Sequence, residues 1–381
     1  MRILLLLHEM TLSGAPKVAC GVFSQMPAGC ELMTVAARPG PLEPEFQRLG
    51  ETVVVARNER PTLASPLNAQ VAYVADRAIA QPIRAAALAR RIARWKPDIV
   101  YVNSAAALPL AARCAPPTAR VIVHIHEIET LLSEHARLPV ANMLLSRPSR
   151  YIAVSHAAEA DLISRGIAAD KITVIPPLYD ETEYPAPAAP RTLPNGRPLH
   201  IGGIGTDFWR KGIVLWLLTA AELSRNLPPG AVKFTWLGIT ATEAGSQARV
   251  MARKLGLNGV IEFVPGGSGL SGKMREFDIL AVTSWEESAS IVAMEAMALG
   301  IPVACFAGSG GPPEIVGDAG VIVDGFSPAA MAAAIAQMTA SDETYRNHSA
   351  RSIDRARSRF ASSVVVPQIW RVIDNVMNGS G

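Results

Sequence analysis

Short apolar runs alternate along the whole chain with segments whose apolar residues recur at helical spacing. In the first half the runs are Arg2–Leu7, Glu31–Ala36, Thr52–Ala56, Ile99–Val102, Val121–His124, Tyr151–Val154 and Ile172–Ile175. In the second half they are Leu199–Ile204, Lys233–Leu237, Ile261–Val264, Phe277–Thr283, Val303–Phe306 and Gly320–Val323. Strands separated by helices are the pattern of βαβ units, and parallel strands buried on both faces read as continuous apolar stretches. The fold class expected is therefore α/β, with doubly wound parallel sheets. Composition agrees, since 49% of the 381 residues are hydrophobic and 18% are charged. Between the two series, Asp180 to Leu199 holds five prolines and no apolar period, and it reads as a joint between domains. The expected division is an N-terminal domain 1–180, a linker 181–198, a C-terminal domain 199–360 and a final helical segment 361–381 containing Trp370. Two doubly wound domains face a cleft, with ligands at the carboxyl ends of the strands that line it.

Several classes of function are disfavoured by what the chain lacks. Its four cysteines (Cys20, Cys30, Cys114, Cys305) have neither metal-ligand nor redox spacing and read as reduced thiols of a cytoplasmic protein. The apolar run at the N-terminus is too short for a signal peptide and leads into a turn, and no stretch has the length of a membrane span. Net charge is only +3, but between Arg77 and Arg150 basic residues outnumber acidic ones eleven to four. The segment Arg84–Lys96 reads as a helix with a basic face, either a solvated surface or a peripheral contact with the inner face of an anionic membrane. Nucleic acid is not an expected partner, because no aromatic platform or known module accompanies the charge.

Residues 284–303, Ser-Trp-Glu-Glu-Ser-Ala-Ser-Ile-Val-Ala-Met-Glu-Ala-Met-Ala-Leu-Gly-Ile-Pro-Val, carry the most specific chemistry. A strand ends at Glu286 and Glu287, a loop of small residues follows, and a helix carries Glu295 before stopping at Gly300 and Pro302. The amino end of that helix is a natural seat for phosphate. Carboxylates are poor partners for phosphate but good acceptors for vicinal hydroxyls. Two of them beside such a seat suit a ligand with a sugar on either side of a diphosphate.

Glu287 and Glu295, with seven residues between them and Glu-Ala-Met-Ala-Leu-Gly-Ile-Pro-Val following, resemble the signature of family 4 glycosyltransferases. The resemblance implies two Rossmann-like domains of the GT-B fold, with the terminal helix crossing back onto the first. It implies retaining transfer without cofactor or catalytic metal, the nucleotide-diphosphate sugar being the donor substrate. In Ile201-Gly-Gly-Ile-Gly-Thr-Asp-Phe-Trp-Arg-Lys-Gly212, the family's diphosphate-binding lysine maps to Lys211, with Gly203, Gly205 and Arg210 as further donor contacts. The family's usual arginine five positions earlier is Thr206 here, and Arg210 is the candidate replacement. Ser288, Ala289 and Ser290 stand where the family often has Gly-Phe-Gly, and with Ile291 they are expected to meet the donor through backbone N–H groups and two hydroxyls. Gly308-Ser-Gly-Gly-Pro-Pro-Glu314-Ile-Val resembles the family's donor-closing loop; Glu314 serves either the donor or a helix cap.

In the first domain, Gly14 matches the family's acceptor-side glycine loop and equally fits a packing turn. Pro16 suits the start of a helix. In Val121-Ile-Val-His124-Ile-His126-Glu127, alternation places His124 and His126 on one face. The family's sugar-contacting histidine maps to His126. Two histidines and a carboxylate also admit a metal reading, which a missing third ligand disfavours. Asn103 is a candidate acceptor contact. Glu287, His126 and Lys211 are the expected catalytic groups, with Arg210, Lys211 and the helix end stabilising the leaving diphosphate. The resemblance thus implies transfer of a hexose to a saccharide or lipid-linked acceptor, in bacterial surface-polysaccharide (lipopolysaccharide or exopolysaccharide) synthesis. The alternatives are a nucleotide-sugar epimerase of the same fold and a non-catalytic sugar-binding protein with a degenerate donor site.

Overall fold

The computed structural model describes residues 1–55, 81–135, 143, 145–206, 209–267 and 269–379. Ala56 at the end of the third expected strand, Arg77 and Arg137 of the basic region, and Asp207 and Phe208 of the glycine segment lie outside them. The chain forms two compact units, one made of 1–154, 158–175 and 366–381, the other of 155–157 and 176–365.

The first unit holds a seven-stranded sheet built from β1 (Arg2–Leu7), β2 (Glu31–Ala36), β3 (Glu51–Val54), β4 (Ile99–Asn103), β5 (Arg120–Ile125), β6 (Arg150–Ala153) and β7 (Ile172–Val174). Their order is β3-β2-β1-β4-β5-β6-β7, and every pairing is parallel. Ile3 to Leu7 of β1 are fully buried, which is why this central strand is uniformly apolar. The helix Gly14–Phe23 has Pro16 in its first turn and buries Val18, Ala19, Val22 and Phe23. The final helix, Ser362–Asn378, contributes residues from 366 onward to this unit. Its Trp370 meets Phe23 edge to face at 5.8 Å and donates its indole N–H to the Val22 carbonyl. Phe23 in turn meets Tyr101 of β4 at 5.3 Å. On the helix Gln81–Trp95, Arg84, Arg90, Arg91 and Arg94 are exposed while Ile92 is buried. Among the described residues no helix is long and apolar enough to cross a membrane.

The second unit holds β8 (Leu199–Ile204), β9 (Val232–Ile239), β10 (Ile261–Pro265), β11 (Ile279–Val282), β12 (Val303–Phe306) and β13 (Val321–Val323). They are parallel, in the order β10-β9-β8-β11-β12-β13. β11 is shorter than the apolar run that announces it: Phe277 and Thr283 are buried but lie outside the ladder. The proline-rich segment is no bare joint, since it packs onto this unit. Tyr179 bridges to Ala361, Tyr184 is 3% exposed, and the Arg191 amide donates to Ser349 Oγ at 2.8 Å.

Candidate donor and acceptor sites

β8, β11 and β12 are neighbours in the second sheet, and the segments leaving their carboxyl ends meet in one bonded cluster. After β8, the turn Trp209–Lys211 leads through Gly212 into the helix Ile213–Asn226. Gly212 has φ +65°, and a Cβ there would stand 1.8 Å from the Thr283 carbonyl oxygen, so glycine is required. The Thr283 hydroxyl donates to the Gly212 carbonyl at 3.0 Å, and the Trp285 amide donates to the Arg210 carbonyl at 2.7 Å. The turn bearing Arg210 and Lys211 is thereby sewn to the loop bearing Glu287. Lys211 Nζ donates to Glu287 Oε1 at 2.8 Å, while Ser284 Oγ donates to Oε2 at 2.6 Å. Arg210 donates from its guanidinium to the Glu286 carbonyl at 3.2 Å.

The third segment closes from β12. The Glu287 amide donates to the Ser309 carbonyl at 2.9 Å, and the Gly311 amide to the Glu287 carbonyl at 2.8 Å. Gly311 lies against Ser288, whose carbonyl oxygen would be 1.9 Å from an added Cβ. Glu287 is thus fixed at backbone and carboxylate alike, at 6% exposure. Its two bonded oxygens still carry lone pairs for incoming hydroxyl donors, and the ammonium beside it keeps further N–H groups for an anion.

The helix Ile291–Ala298 starts from this loop. Ser290 is its N-cap residue but makes no capping bond, and its fully buried Oγ has no partner. A buried hydroxyl without a partner is costly and asks for an explanation. Here it lies at a helix end whose leading N–H groups have no intrahelical acceptor. Ala289 and Ile291 are half-buried beside it, and Glu295 sits further along at 5% exposure. Tyr184 is Glu295's neighbour, because burial first and the Glu295 charge second push the Tyr184 phenol up. Glu295 therefore lies beside Tyr184, a core tyrosine.

Two expected donor contacts have other work. Gly203 lies inside β8, and a Cβ there would be 2.5 Å from Trp236 and 2.6 Å from Trp216. It is a packing glycine, and its neighbour Gly202 leaves the same room for Phe277 on the opposite face. Gly205 does lie in the turn; its carbonyl accepts from Trp236 and its missing Cβ leaves space for the Lys211 stem. Glu314 acts as a cap: its carboxylate accepts the His156 and Ala157 amides at 2.8 and 2.9 Å. All three residues belong to the second unit. Thr206 carries no cation, and the Arg210 guanidinium of the following turn donates to the Glu286 carbonyl.

The first unit gathers its polar residues at the carboxyl ends of β1, β4 and β5. Gly14 opens the helix Gly14–Phe23, and Asn103 is fully buried at the end of β4. Asn103 Nδ2 donates to the Ala15 carbonyl at 2.9 Å, and its Oδ1 lies 3.1 Å from His126 Nε2. The rings of His124 and His126 are 4.1 Å apart, on one face as alternation requires. Glu127, weighed in the sequence only as the carboxylate of a disfavoured metal reading, gathers the Ser104 hydroxyl and the amides of Ala105 and His126. Ser104 holds φ +88° to make this possible, a strained value for a residue with a Cβ. At the end of β1, the His8 imidazole beside Glu9 and the Thr11 hydroxyl hold its carboxyl at about 2 in spite of burial. Among the described residues no group of three or more His, Cys, Asp or Glu side chains could hold a metal ion.

Two parallel α/β units with polar clusters at the carboxyl ends of their central strands define a protein of the GT-B architecture. A solved Anabaena structure, HepE in complex with UDP, superposes with a TM-score of 0.77 at 18% identity, covering 98% of this chain and 100% of that one. The family description "Glycosyltransferase Family 4" matches residues 29–183, and "Glycosyl transferases group 1" matches 190–358. The chain belongs to the family 4 glycosyltransferases. A D-inositol 3-phosphate glycosyltransferase of Corynebacterium glutamicum is 41% identical over 114 residues, which are 29% of this chain and 27% of that protein. The lipopolysaccharide glucosyltransferase WaaG of Escherichia coli is 25% identical over 147 residues, 35% of this chain and 37% of WaaG. The chain spans less than half the length of these curated relatives.

Proposed function

We propose that the protein is a retaining glycosyltransferase that moves a hexose from a nucleotide-diphosphate sugar to a saccharide or lipid-linked acceptor. The observation that carries this reading is the buried, unpartnered Ser290 hydroxyl at a helix amino end, beside the Lys211–Glu287 pair. An anion seated there gains the Ser290 O–H, the leading N–H groups of the helix and the Lys211 ammonium. Negative charge developing on the departing β-phosphate is what such a preorganised set stabilises. Glu287, held on both oxygens, accepts from hydroxyls of the transferred sugar, and Glu295 accepts from the ribose. His126, at the end of β5, is the first-unit residue to which the family resemblance assigns a sugar contact. No step needs a cofactor or a catalytic metal: the leaving diphosphate takes the proton of the attacking hydroxyl.

The family membership supports a nucleotide sugar as donor, and the neighbours that bind UDP and UDP-glucose make uridine donors the first to test. The WaaG and D-inositol 3-phosphate glycosyltransferase relatives support a role in building bacterial surface glycans or glycosylated polyols. We place the reaction in the cytoplasm; the exposed arginines of the helix Gln81–Trp95 suit either a solvated surface or a peripheral contact with anionic lipid. The test is incubation with labelled UDP-, GDP- and ADP-hexoses, with and without candidate acceptors. Label should reach the acceptor with the anomeric configuration kept. Donor turnover without acceptor would point to the epimerase instead, and binding without turnover to a sugar-binding protein.

A further inference from the structure

In the second unit, the end of β9 is built around one carbonyl of the turn that leads to Lys211. Gly205, the first residue after β8, is held by β9 at both backbone groups. Its amide donates to the Leu237 carbonyl at 2.9 Å, and its carbonyl accepts the Trp236 indole N–H at 2.9 Å. Trp236 is 1% exposed and meets Trp216 edge to face at 5.4 Å, both indoles occupying the room that Gly203 leaves. The ladder between β9 and β10 pairs Leu237 with Val264 and Ile239 with Pro265, so Gly238 stands out of register as a bulge. Gly238 has φ +102°, and a Cβ there would stand 2.6 Å from the Gly205 carbonyl oxygen. Gly205 in turn meets the Lys211 stem, whose Cγ, Cδ and Cβ would lie 2.9, 3.1 and 3.2 Å from an added Cβ. The far end of that stem is the ammonium on Glu287 Oε1 at 2.8 Å.

We infer that Trp236 is a positioning residue for the diphosphate seat: its indole N–H fixes Gly205, and Gly205 fixes the Lys211 stem against which it packs. The role of Lys211 toward a diphosphate rests on the proposed function; the anchoring of its stem through Trp236 goes beyond it. A lysine stem is flexible, and every bond left free to rotate lowers the share of time its ammonium spends in one place. Arg210 and Lys211 are the two cations between Gly205 and Gly212, so a well-placed Lys211 matters in this turn. A phenylalanine at 236 would fill most of the same space without donating a bond, so packing alone does not account for the indole. The N–H also occupies a carbonyl oxygen that would otherwise present bare negative partial charge close to the stem of the anion-binding lysine. Trp236 touches neither donor nor reacting atoms and acts only through Gly205 and Lys211.

Two measurements on the full chain test this. In 15N–1H spectra of the wild type, the Trp236 indole N–H should exchange with solvent about a hundredfold more slowly than that of Trp209, which is 59% exposed. Calorimetric titration of UDP, GDP and ADP then compares the wild type with Trp236→Phe, which keeps most of the packing and removes the bond. The nucleoside diphosphate that binds the wild type should bind Trp236→Phe about fivefold or more weakly. Added to Lys211→Ala, the same substitution should change affinity by less than about twofold, because the stem it positions is gone. A role in folding alone would lower the Tm of Trp236→Phe and leave the affinity of the folded protein where it was. Equal affinity of wild type and Trp236→Phe therefore overturns the inference, and so do losses that multiply in the double variant. A Trp236 indole N–H that exchanges as fast as that of Trp209 overturns it without any variant having to fold. Failure of the wild type to bind any of the three nucleotides would instead overturn the proposed function, and with it the role given to Lys211.

Discussion

Lys211 and Glu287 lie in a setting too dry for Glu287 to lose its partner cheaply. The Glu287 side chain is 8% exposed and that of Lys211 22%. Lys211→Met should lower stability by up to about 3 kcal/mol, because an uncompensated carboxylate is left behind. Adding Glu287→Gln should restore much of that loss and none of the transfer activity. Thermal melts and a transfer assay on the two variants separate the structural role from the catalytic one. Ser290 behaves oppositely. Its hydroxyl makes no bond in the free protein, so Ser290→Ala should change stability by less than about 0.5 kcal/mol while weakening nucleoside diphosphate binding about tenfold. A Tm drop of several degrees in Ser290→Ala would show that the hydroxyl has a protein partner after all.

At the scale of elements, the strands are where sequence and structure agree most closely. Buried parallel strands must be apolar throughout, and each expected run is found as a strand, with ends moved by one or two residues. The loops were legible only in part. Glycines in a turn and glycines under an indole look alike in a sequence, and only the positions of Trp216 and Trp236 show that Gly203 is a matter of packing. Glu314 is a cap because its partners come from residues 156–157, a separation no local pattern reveals. The Tyr101–His124 and Asn103–His126 pairs depend likewise on the register of β4 against β5, in which Asn103 lies opposite His124. Gly311 offers a sharp test of the element-level account, since its missing Cβ lets the β12 loop meet Ser288. Gly311→Ala should push the two loops apart and weaken donor binding about tenfold or more, with a stability loss of about 1–3 kcal/mol by calorimetry. Unaltered binding would mean that the contact does not shape the seat.

For the molecule as a whole, buried histidines set the response to acid. Burial lowers His124 to about 3 and His200 to about 4, and lowers His126 as well. Each takes up a proton more readily when unfolded, near its ordinary value of about 6.5, than when folded. Stability is therefore full above that value and declines as pH falls through it, by at most about 1.4 kcal/mol per pH unit for each group. Glu9 acts in the same direction lower down: held at about 2, it contributes stability above the usual carboxylate range that is lost as pH falls toward 2. Melting temperatures from pH 8 to 4 should be level at first and then fall steeply below about 6.5. His124→Gln, which cannot be protonated, should flatten part of that fall. A curve level to pH 4 would contradict the neutral, buried histidines.

The central claim is that a nucleoside diphosphate sits at the amino end of the helix Ile291–Ala298 against Lys211. Calorimetric titration of UDP, GDP and ADP into the wild type and into Lys211→Ala tests it most directly. At least one of the three should bind the wild type with a Kd in the micromolar range, about −8 kcal/mol, and lose about tenfold or more in the variant. Equal affinity in both proteins, or no binding of any of the three to the wild type, would contradict it.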